Sequence, residues 1–480
     1  MSQLPGSGSC SGRWIACFVV LTLFGSEARA QGEVLHLERV LKSVQQHHPE
    51  IQIAVEQLRQ GEGRLLSNEG GFDPQLELQG KARSGGYYEL RRIDVGVTQP
   101  TPLWGTELSA GYRLGLGIEE NRYPTYYEDE TLDSGEVLAG LNLPLWRGGP
   151  TDTRRASIEK QQQTLDAMQA ELHSVSLTLE LQAIQSYWQW IRAGLSRKVE
   201  LQMLALAQER DRQLKRRLQA GVITEFDLWD NERMVLERRE RVILATRLLQ
   251  RTAYTLGMFL RGDNGEPLFP KESWLPTELS PPPEDTLAVH QVTKQVLLCH
   301  PVAKAQMARV QAYGVDVNLA ENQLAPQIDA SVGVSRDLGD ASRNETLVGT
   351  VFEGGVTLKM PLLLRPERGR LREAKSARAE AIQKLRYVRD TLRTQLHDAA
   401  SEVNAAKRQA KVAKDLVHTA ERLAAGERKR FDSGVGNLMF VNLREQSAAS
   451  ANLDLIFALS QNHAAWARWR NLSEVKCAKH

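Results

Sequence analysis

Long uncharged apolar runs are almost absent from this 480-residue sequence. The one clear run, residues 14–25, is shorter than the ~18 to 20 residues that a membrane-spanning helix needs. It follows Arg13 and precedes Ala28-Arg29-Ala30, a pattern of small residues that is typical of a cleavage site. Residues 1–30 are therefore predicted to be a signal peptide, and the protein is expected to be exported without a transmembrane helix.

Cysteine and net charge are also scarce. Of the four cysteines, Cys10 and Cys17 fall in the predicted signal peptide. The remaining two, Cys299 and Cys477, are too few for a disulfide framework, and the sequence leaves open whether they pair. The 61 Lys and Arg residues nearly balance the 59 Asp and Glu residues. The basic excess of a nucleic-acid-binding protein is missing, so no nucleic acid is expected as a partner.

The short motifs of catalysis are missing as well. The sequence has no phosphate-binding Gly-x-x-x-x-Gly-Lys, no Gly-x-Ser-x-Gly and no dinucleotide-binding glycine pattern between a strand and a helix. His47, His48 and His300 lack the spacing of metal ligands. Because His48 and His300 each precede a proline that would open a helix, we interpret them as capping residues. The expectation is a protein that is not an enzyme and has no cofactor or metal.

What the sequence does contain is one series of landmarks written twice. The landmarks are His48-Pro49 and Pro74-Gln75, which recur at His300-Pro301 and Pro326-Gln327, then Pro144, which recurs at Pro361, and Gly221, which recurs at Gly434. A period of more than 200 residues indicates a duplicated unit of domain size. We predict a first repeat over 31–262, a Pro/Gly-rich linker over 263–285, a second repeat over 286–472 and a tail over 473–480.

Each repeat ends in a long stretch without proline. Residues 151–266 and 367–480 contain none, and both are rich in Ala, Leu, Glu, Gln, Lys and Arg. They predict long helical hairpins at about 150–260 and about 366–470. The run from Thr153 to Ala220 would be roughly 100 Å long as a helix, which suits a coiled assembly better than a globular core.

Between the helices, the apolar residues alternate with small or polar ones. Examples are Ile93, Val95 and Val97 in the first repeat and Ile328, Ala330, Val332 and Val334 in the second. Barrel strands are predicted at about 75–146 and about 327–362, although alternation alone also fits a soluble two-sheet sandwich. Four to six strands are too few to close a barrel, so in a membrane several chains would have to share it.

The first β region is about twice as long as the second. It has room for about one additional hairpin, which would include Thr101-Pro102-Leu103-Trp104-Gly105. The sequence leaves the number of strands per chain open.

Taken in order, these features resemble the outer-membrane efflux protein (TolC) family over about residues 33–470. The resemblance rests on the signal peptide, the His-Pro and Pro-Gln spacing, Leu-Pro-Leu-Trp-Arg-Gly-Gly at 143–149, and the paired Arg-x-x-x-Gly-Val motifs. It implies a fold that is mainly α with a β-barrel part and two tandem repeats. It also implies a homotrimer with a shared 12-stranded barrel in outer-membrane lipid and a helical tunnel in the periplasm.

The same resemblance implies a passive exit duct for efflux or secretion. Its partners would be a periplasmic adaptor and, through that adaptor, an inner-membrane pump or ABC transporter. The cargo, the transporter type and the gate mechanism cannot be predicted from the sequence. The alternative that we keep is an exported coiled-coil scaffold without a pore, and an exported enzyme is a distant third.

Particular residues acquire expected roles from the resemblance. The hairpin tips would contact the adaptor through Arg217, Gly221, Val222, Arg430, Gly434 and Val435. A tunnel constriction would involve Asp227, Asp230, Phe440 and Leu443, acidic after the first turn and apolar after the second. The strand-to-helix crossovers would contain Pro144, Gly148, Gly149 and Pro361. An ordinary helical hairpin without a partner would explain the glycines and caps of a single turn equally well.

Overall fold

The computed structural model of the chain describes residues 34–83, 90–116, 131–282, 287–340 and 349–475. The predicted signal peptide, Cys477 and most of the predicted tail lie outside these ranges. Cys299 is disulfide-bonded, and its partner also lies outside the described residues. Among the helices that are described, none combines the length and the apolarity needed to cross a membrane.

The chain is mostly helical, and its elements follow one order in both repeats. The first repeat contains α1 (Leu37–His47), α2 (Pro49–Glu69), β1 (Gln75–Arg83), β2 (Leu90–Pro100), β3 (Glu107–Leu116), β4 (Glu136–Pro144), α3 (Thr153–Gln219) and α4 (Glu225–Leu256). The second contains α5 (Val289–Cys299), α6 (Pro301–Asn322), β5 (Gln327–Asp337), β6 (Thr350–Lys359), α7 (Arg365–Asp432) and α8 (Leu438–Ser473). The first repeat thus has four described strands where the second has two, which accounts for the additional hairpin.

Two histidines begin equivalent helices. The Glu50 backbone N–H donates to His48 Nδ1 (3.3 Å), and the Val302 N–H donates to His300 Nδ1 (3.4 Å). The proline that follows each histidine occupies a first-turn position, where its missing N–H costs nothing. The capping role that the sequence predicts for both histidines is confirmed.

The helices pack side by side at two levels. Close to the strands the order is α2, α3, α6 and α7, and further away it is α4, α3, α8 and α7. Helices α3 and α7 have 67 and 68 residues, so each runs through both levels over roughly 100 Å. Every level of one chain is therefore a row of four helices.

Helices α7 and α8 form a coiled coil. Apart from Ala400, which is buried next to Ala399, the buried positions of α7 from its middle to its far end are Leu396, Ala399, Val403, Ala406, Ala410, Ala413, Val417, Ala420 and Ala424. They alternate in steps of three and four, which is the heptad spacing of a left-handed supercoil. Most of them are alanine, so the two backbones can approach closely.

The largest apolar cluster joins the first hairpin to α1. Trp190 and Ile191 of α3 are fully buried against Val44 of α1 and Leu256 of α4. The Tyr187 hydroxyl donates to the Leu35 carbonyl (2.8 Å), and burial raises the pKa of this tyrosine to about 12. Side chains of the linker, including Trp274 and Leu275, pack on the same cluster. The described part of the linker therefore lies against the helices.

The six strands form a single antiparallel sheet in the order β1 to β6. Its register aligns apolar residues across neighbouring strands: Leu78 lies opposite Val95, Val95 opposite Tyr112, and Tyr112 opposite Val137. The opposite face carries polar residues such as Asp94 and Arg113. Exposed side chains of the apolar face include Leu76, Leu78, Ile93, Val95, Val97, Leu108, Val137, Leu141, Val332, Phe352, Val356 and Leu358. All the described strands belong to this one sheet, so they do not form the two-sheet sandwich.

Candidate functional site: hairpin tips and crossover

Both long hairpins turn through the same backbone geometry. Gly221 and Gly434 have φ of +73° and +79°, in the left-handed region that favours glycine. The N–H of Val222 donates to the Arg217 carbonyl (2.9 Å), and the N–H of Val435 donates to the Arg430 carbonyl (3.0 Å). Each bond spans five residues and closes the end of a helix. The Arg-x-x-x-Gly-Val spacing is therefore the spacing of a helix-terminating turn.

The return helices begin immediately after these turns. Thr224 precedes α4, and the Asp227 carboxylate accepts hydrogen bonds from the Thr224 N–H (3.0 Å) and hydroxyl (2.8 Å). Asn437 precedes α8, and its side chain accepts from the Met439 N–H (2.9 Å). Both residues are caps, as the sequence predicts.

The tips expose apolar side chains and touch each other. Val222 and Val435 are 71% and 74% exposed. The Arg217 guanidinium lies 5.0 Å from the centre of the Phe431 ring, so an arginine of the first tip packs on an aromatic residue of the second. The six residues assigned to the tips thus lie at one end of the molecule on two adjacent turns.

The four residues assigned to a constriction differ in their side-chain partners and their exposure. Asp227 caps its own helix, and Asp230 pairs with Arg233 one turn away (3.0 Å). Phe440 and Leu443 in the second hairpin are about half exposed. Asp227 therefore has its partner in the residue that caps α4, and Asp230 has its partner within α4. Their part in a constriction stays a prediction.

A buried ionic cluster near the tips is absent from our sequence predictions. The Glu445 carboxylate of α8 accepts from Arg210 Nη2 of α3 (2.6 Å) and from Arg428 Nε of α7 (2.8 Å). Arg210 also donates to Asn442 Oδ1 (2.5 Å). Because Arg210 belongs to the first hairpin and Glu445 to the second, this Arg210–Glu445 cluster fastens one hairpin to the other. Glu445 resembles many other carboxylates in the helices, and its burial depends on α8 lying beside α3.

A second buried ion pair lies further from the tips. Arg238 Nη1 of α4 is 3.9 Å from Glu200 Oε2 of α3, and both side chains are buried. Burial lowers the pKa of the Arg238 guanidinium, and the charge of Arg241 lowers it further, whereas Glu200 opposes the shift. Charges are therefore embedded within the first hairpin as well as between the two hairpins.

The crossover from strand to helix is tightly packed in the first repeat. Pro144 ends β4, and Gly148, with φ of +87°, donates its N–H to Asn322 Oδ1 (2.9 Å). Gly149 lies against Trp104, whose indole ring would clash with a Cβ at that position. Glycine is thus needed at 148 for the positive φ. Glycine is needed at 149 because the β2–β3 turn approaches closely there.

The second crossover is built differently. Strand β6 ends at Lys359, so Pro361 follows the strand instead of ending it. Helix α7 begins after Leu364, a residue with φ of +48°. The two crossovers therefore share a place in the repeat but differ in their turns.

The chain matches a known protein family. A model of the outer membrane efflux protein family matches residues 108–259 and 292–473. This chain belongs to the outer membrane efflux protein family. The first matched segment begins in β3, so strands β1 and β2 lie outside the match, whereas the second contains both strands of its repeat. No curated protein matches the chain.

Solved structures of outer-membrane channels share the fold of this efflux family member. The outer-membrane channel OprN is 15% identical with a TM-score of 0.65, covering 92% of this chain and 90% of its own. The CmeC outer membrane channel of Campylobacter jejuni is 12% identical with a TM-score of 0.64, covering 92% and 87%. The outer membrane protein VceC of Vibrio cholerae is 14% identical with a TM-score of 0.64, covering 91% and 96%. The similarity extends over both repeats.

Proposed function

We propose that this efflux family member is one of three identical subunits of an outer-membrane channel, a passive exit duct for efflux or secretion. The sheet would lie in the outer membrane and the helices in the periplasm. The observation that carries the proposal is the sheet itself, with one mainly apolar, exposed face and one mainly polar face across its six strands. A strand in a barrel wall needs this arrangement because one face meets lipid and the other lines water.

The edges of the sheet support a shared barrel. Strands β1 and β6 are its first and last strands, and no described strand pairs with their outer edges. Unpaired backbone groups cannot be solvated in hydrocarbon, so an open sheet is not stable there. Pairing with further copies of the chain satisfies both edges at once.

Exposed stripes on the helices support the same assembly. Trp229, Leu236 and Ile243 recur every seven residues along α4, and all three are more than half exposed. Helix α7 carries the exposed residues Val412 and Leu423, which lie outside its α8 seam. Within one chain α3 packs on α6 and α8 of the next repeat. By the equivalence of the repeats, α7 is expected to pack on α2 and α4 of the next copy, which closes a ring of helices.

The hairpin tips are the proposed docking surface for a periplasmic adaptor. Their exposed valines, Val222 and Val435, lie beside Arg217 and Arg430 at the end furthest from the sheet. The adaptor would connect the duct to an inner-membrane pump or ABC transporter, which supplies the energy. The constriction that we propose at Asp227, Asp230, Phe440 and Leu443 would narrow the tunnel just inside the tips.

A matched pair of substitutions on β4 tests the channel. Leu141 lies on the apolar face and its neighbour Asn142 on the polar face. Arginine on the lipid face of a barrel costs about 2–4 kcal/mol near the membrane centre, whereas a water-lined position tolerates it. We expect Leu141→Arg to deplete the outer-membrane fraction and Asn142→Arg to leave it unchanged.

The native protein is assayed beside these variants. We expect an outer-membrane protein that migrates as a trimer on an unheated gel and conducts ions in planar bilayers. Recovery as a soluble monomer would refute the channel and favour the coiled-coil scaffold without a pore.

A further inference from the structure

We propose that each copy contributes all six strands to the barrel, and that β1 of one copy pairs with β6 of the next, with Gln79 opposite Lys359. This inference rests on the shared barrel proposed above. Three copies then give an 18-stranded barrel instead of the 12-stranded barrel that the family resemblance implies.

The two strands outside the family match have the dimensions of barrel strands. Strands β1 and β2 contain 9 and 11 residues, and β3 to β6 contain 10, 9, 11 and 10. A tilted strand needs about 9–11 residues to cross a bilayer. All six strands therefore have the length of a transmembrane strand.

Strands β1 and β2 also continue the two faces of the sheet without interruption. Leu76 and Leu78 of β1 lie opposite Val97 and Val95 of β2. Between them Glu77 lies on the polar face, as Asp94 does in β2. A hairpin folded outside the membrane would not need an exposed apolar face in register with the lipid-facing side of its neighbours.

The turn between β2 and β3 fastens these strands to the base of the barrel. The Thr101 N–H donates to the Thr106 carbonyl (2.8 Å), which closes the turn. Trp104 packs on Gly149 of the crossover, and Glu107 pairs with Arg154 of α3 (2.8 Å). The β2–β3 hairpin thus ends at the level where β4 passes into α3.

The repeat predicts how neighbouring copies meet. Strand β4, which leads into α3, pairs with β5, which follows α6, so that Pro144 lies opposite Asp329. The equivalent strands are β6, which leads into α7, and β1, which follows α2. In the repeat, Pro361 corresponds to Pro144 and Glu77 corresponds to Asp329, so Pro361 is expected opposite Glu77. Two residues further into the strands, the same register places Lys359 opposite Gln79.

The transferred register passes a test of the two faces. It places Lys359 and Thr357 opposite Gln79 and Lys81, all on the polar face, and Val356 opposite Ala82 on the apolar face. A shift by one residue would set positions of the polar face opposite positions of the apolar face. The direction is also compatible, because an even number of antiparallel strands leaves β6 and the next β1 antiparallel.

The additional strands change the width of the barrel. With about 4.8 Å between strands and a tilt of about 40°, 12 strands give a backbone diameter of about 24 Å and 18 strands give about 36 Å. The cross-section of the backbone cylinder would thus be about twice as large. The wider barrel is comparable to a ring of twelve helices packed about 9–10 Å apart.

Cysteine cross-linking tests the edge pairing. In the full-length protein, Gln79→Cys with Lys359→Cys is expected to yield covalent dimers and trimers after oxidation, visible on a denaturing gel and lost on reduction. The matched control is Ser109→Cys with Lys359→Cys, because β3 would be the edge strand if β1 and β2 stayed outside the barrel. Each single variant is run in parallel, since two cysteines are needed across one interface.

The outcomes separate this inference from the proposed function. Cross-linking through Gln79 but not through Ser109 supports the six-strand contribution. Cross-linking through Ser109 alone, in a protein that remains trimeric on an unheated gel, overturns the inference and leaves the channel intact. Absence of a trimer overturns both. Electron cryomicroscopy of the native trimer provides a count that needs no variant: eighteen strands in cross-section are expected, and twelve would refute the inference.

Discussion

Replacing Glu445 with glutamine is expected to loosen the contact between the two hairpins near their tips. The Glu445 side chain is 5% exposed and forms ion pairs with Arg210 (2.6 Å) and Arg428 (2.8 Å). Arg210 is 11% exposed and Arg428 is 47% exposed. Removing one member of a buried ion pair costs about 3–5 kcal/mol because the other charge stays buried. Solvent screens Arg428, so its share is small.

We take the lower end of that range, about 3 kcal/mol, because Arg210 keeps its hydrogen bond to Asn442. This loss corresponds to a roughly hundredfold larger population of the opened tips. Hydrogen exchange of the purified protein measures that population locally. Faster exchange is expected in the last turns of α3 and the first turns of α8, and unchanged exchange in the sheet.

The control is Glu209→Gln. Glu209 is the neighbour of Arg210 on α3, and its own partner is Arg212 on the exposed surface. Exposed pairs contribute about 0–1 kcal/mol, so exchange at the tips should hardly change. Equal exchange in the Glu445 and Glu209 variants would refute the view that the Arg210–Glu445 cluster fastens the two hairpins.

Three further expectations concern individual positions. Burial, followed by the nearby charge of His173, lowers the pKa of His300 to about 4. The neutral ring caps α6, and its contribution to the free energy of unfolding is complete above pH ~6.5. About 3 kcal/mol of that free energy is lost as the pH falls from ~6.5 towards 4. His300→Asn keeps a cap, and its melting temperature should not show this fall at acid pH. A variant whose melting temperature depends on pH as that of the native protein does would contradict the argument. Gly434→Ala should cost about 1–2 kcal/mol because φ is positive, whereas Gly426→Ala inside α7, where a Cβ meets open space, should stabilise by about 0.5–1 kcal/mol; melting shifts of the same sign would argue against the strained turn. Gly149→Val should lower the melting temperature by displacing Trp104, and additive effects in the double variant with Trp104→Ala would show that the two do not touch.

Features written locally in the sequence were predicted well. The left-handed turns at Gly221 and Gly434, the caps at Thr224 and Asn437, and the start of α3 at Thr153 depend on neighbouring residues alone. The additional hairpin of the first repeat could also be predicted, because the sequence between Pro74 and Pro144 is about twice as long as that between Pro326 and Pro361.

Features that depend on distant contacts could not be predicted. The burial of Glu445 requires α8 to lie beside α3, more than 200 residues earlier in the chain. The approach of Trp104 to Gly149 requires the β2–β3 turn to reach the crossover. Strand β1 has clear alternation at Leu76 and Leu78, but its place in the same sheet as β6 depends on the four strands that lie between them.

Because the two repeats have unequal numbers of strands, the two ends of the proposed trimer differ in their rotational symmetry. In the proposed trimer, six similar hairpins give the helical end an approximate sixfold axis, whereas alternating groups of four and two strands leave the membrane end with a threefold axis. A partner at the tips can therefore meet six nearly equivalent positions, while the barrel is free to change in circumference. In that trimer the additional hairpin would alter the membrane aperture without changing the surface that a partner has to recognise.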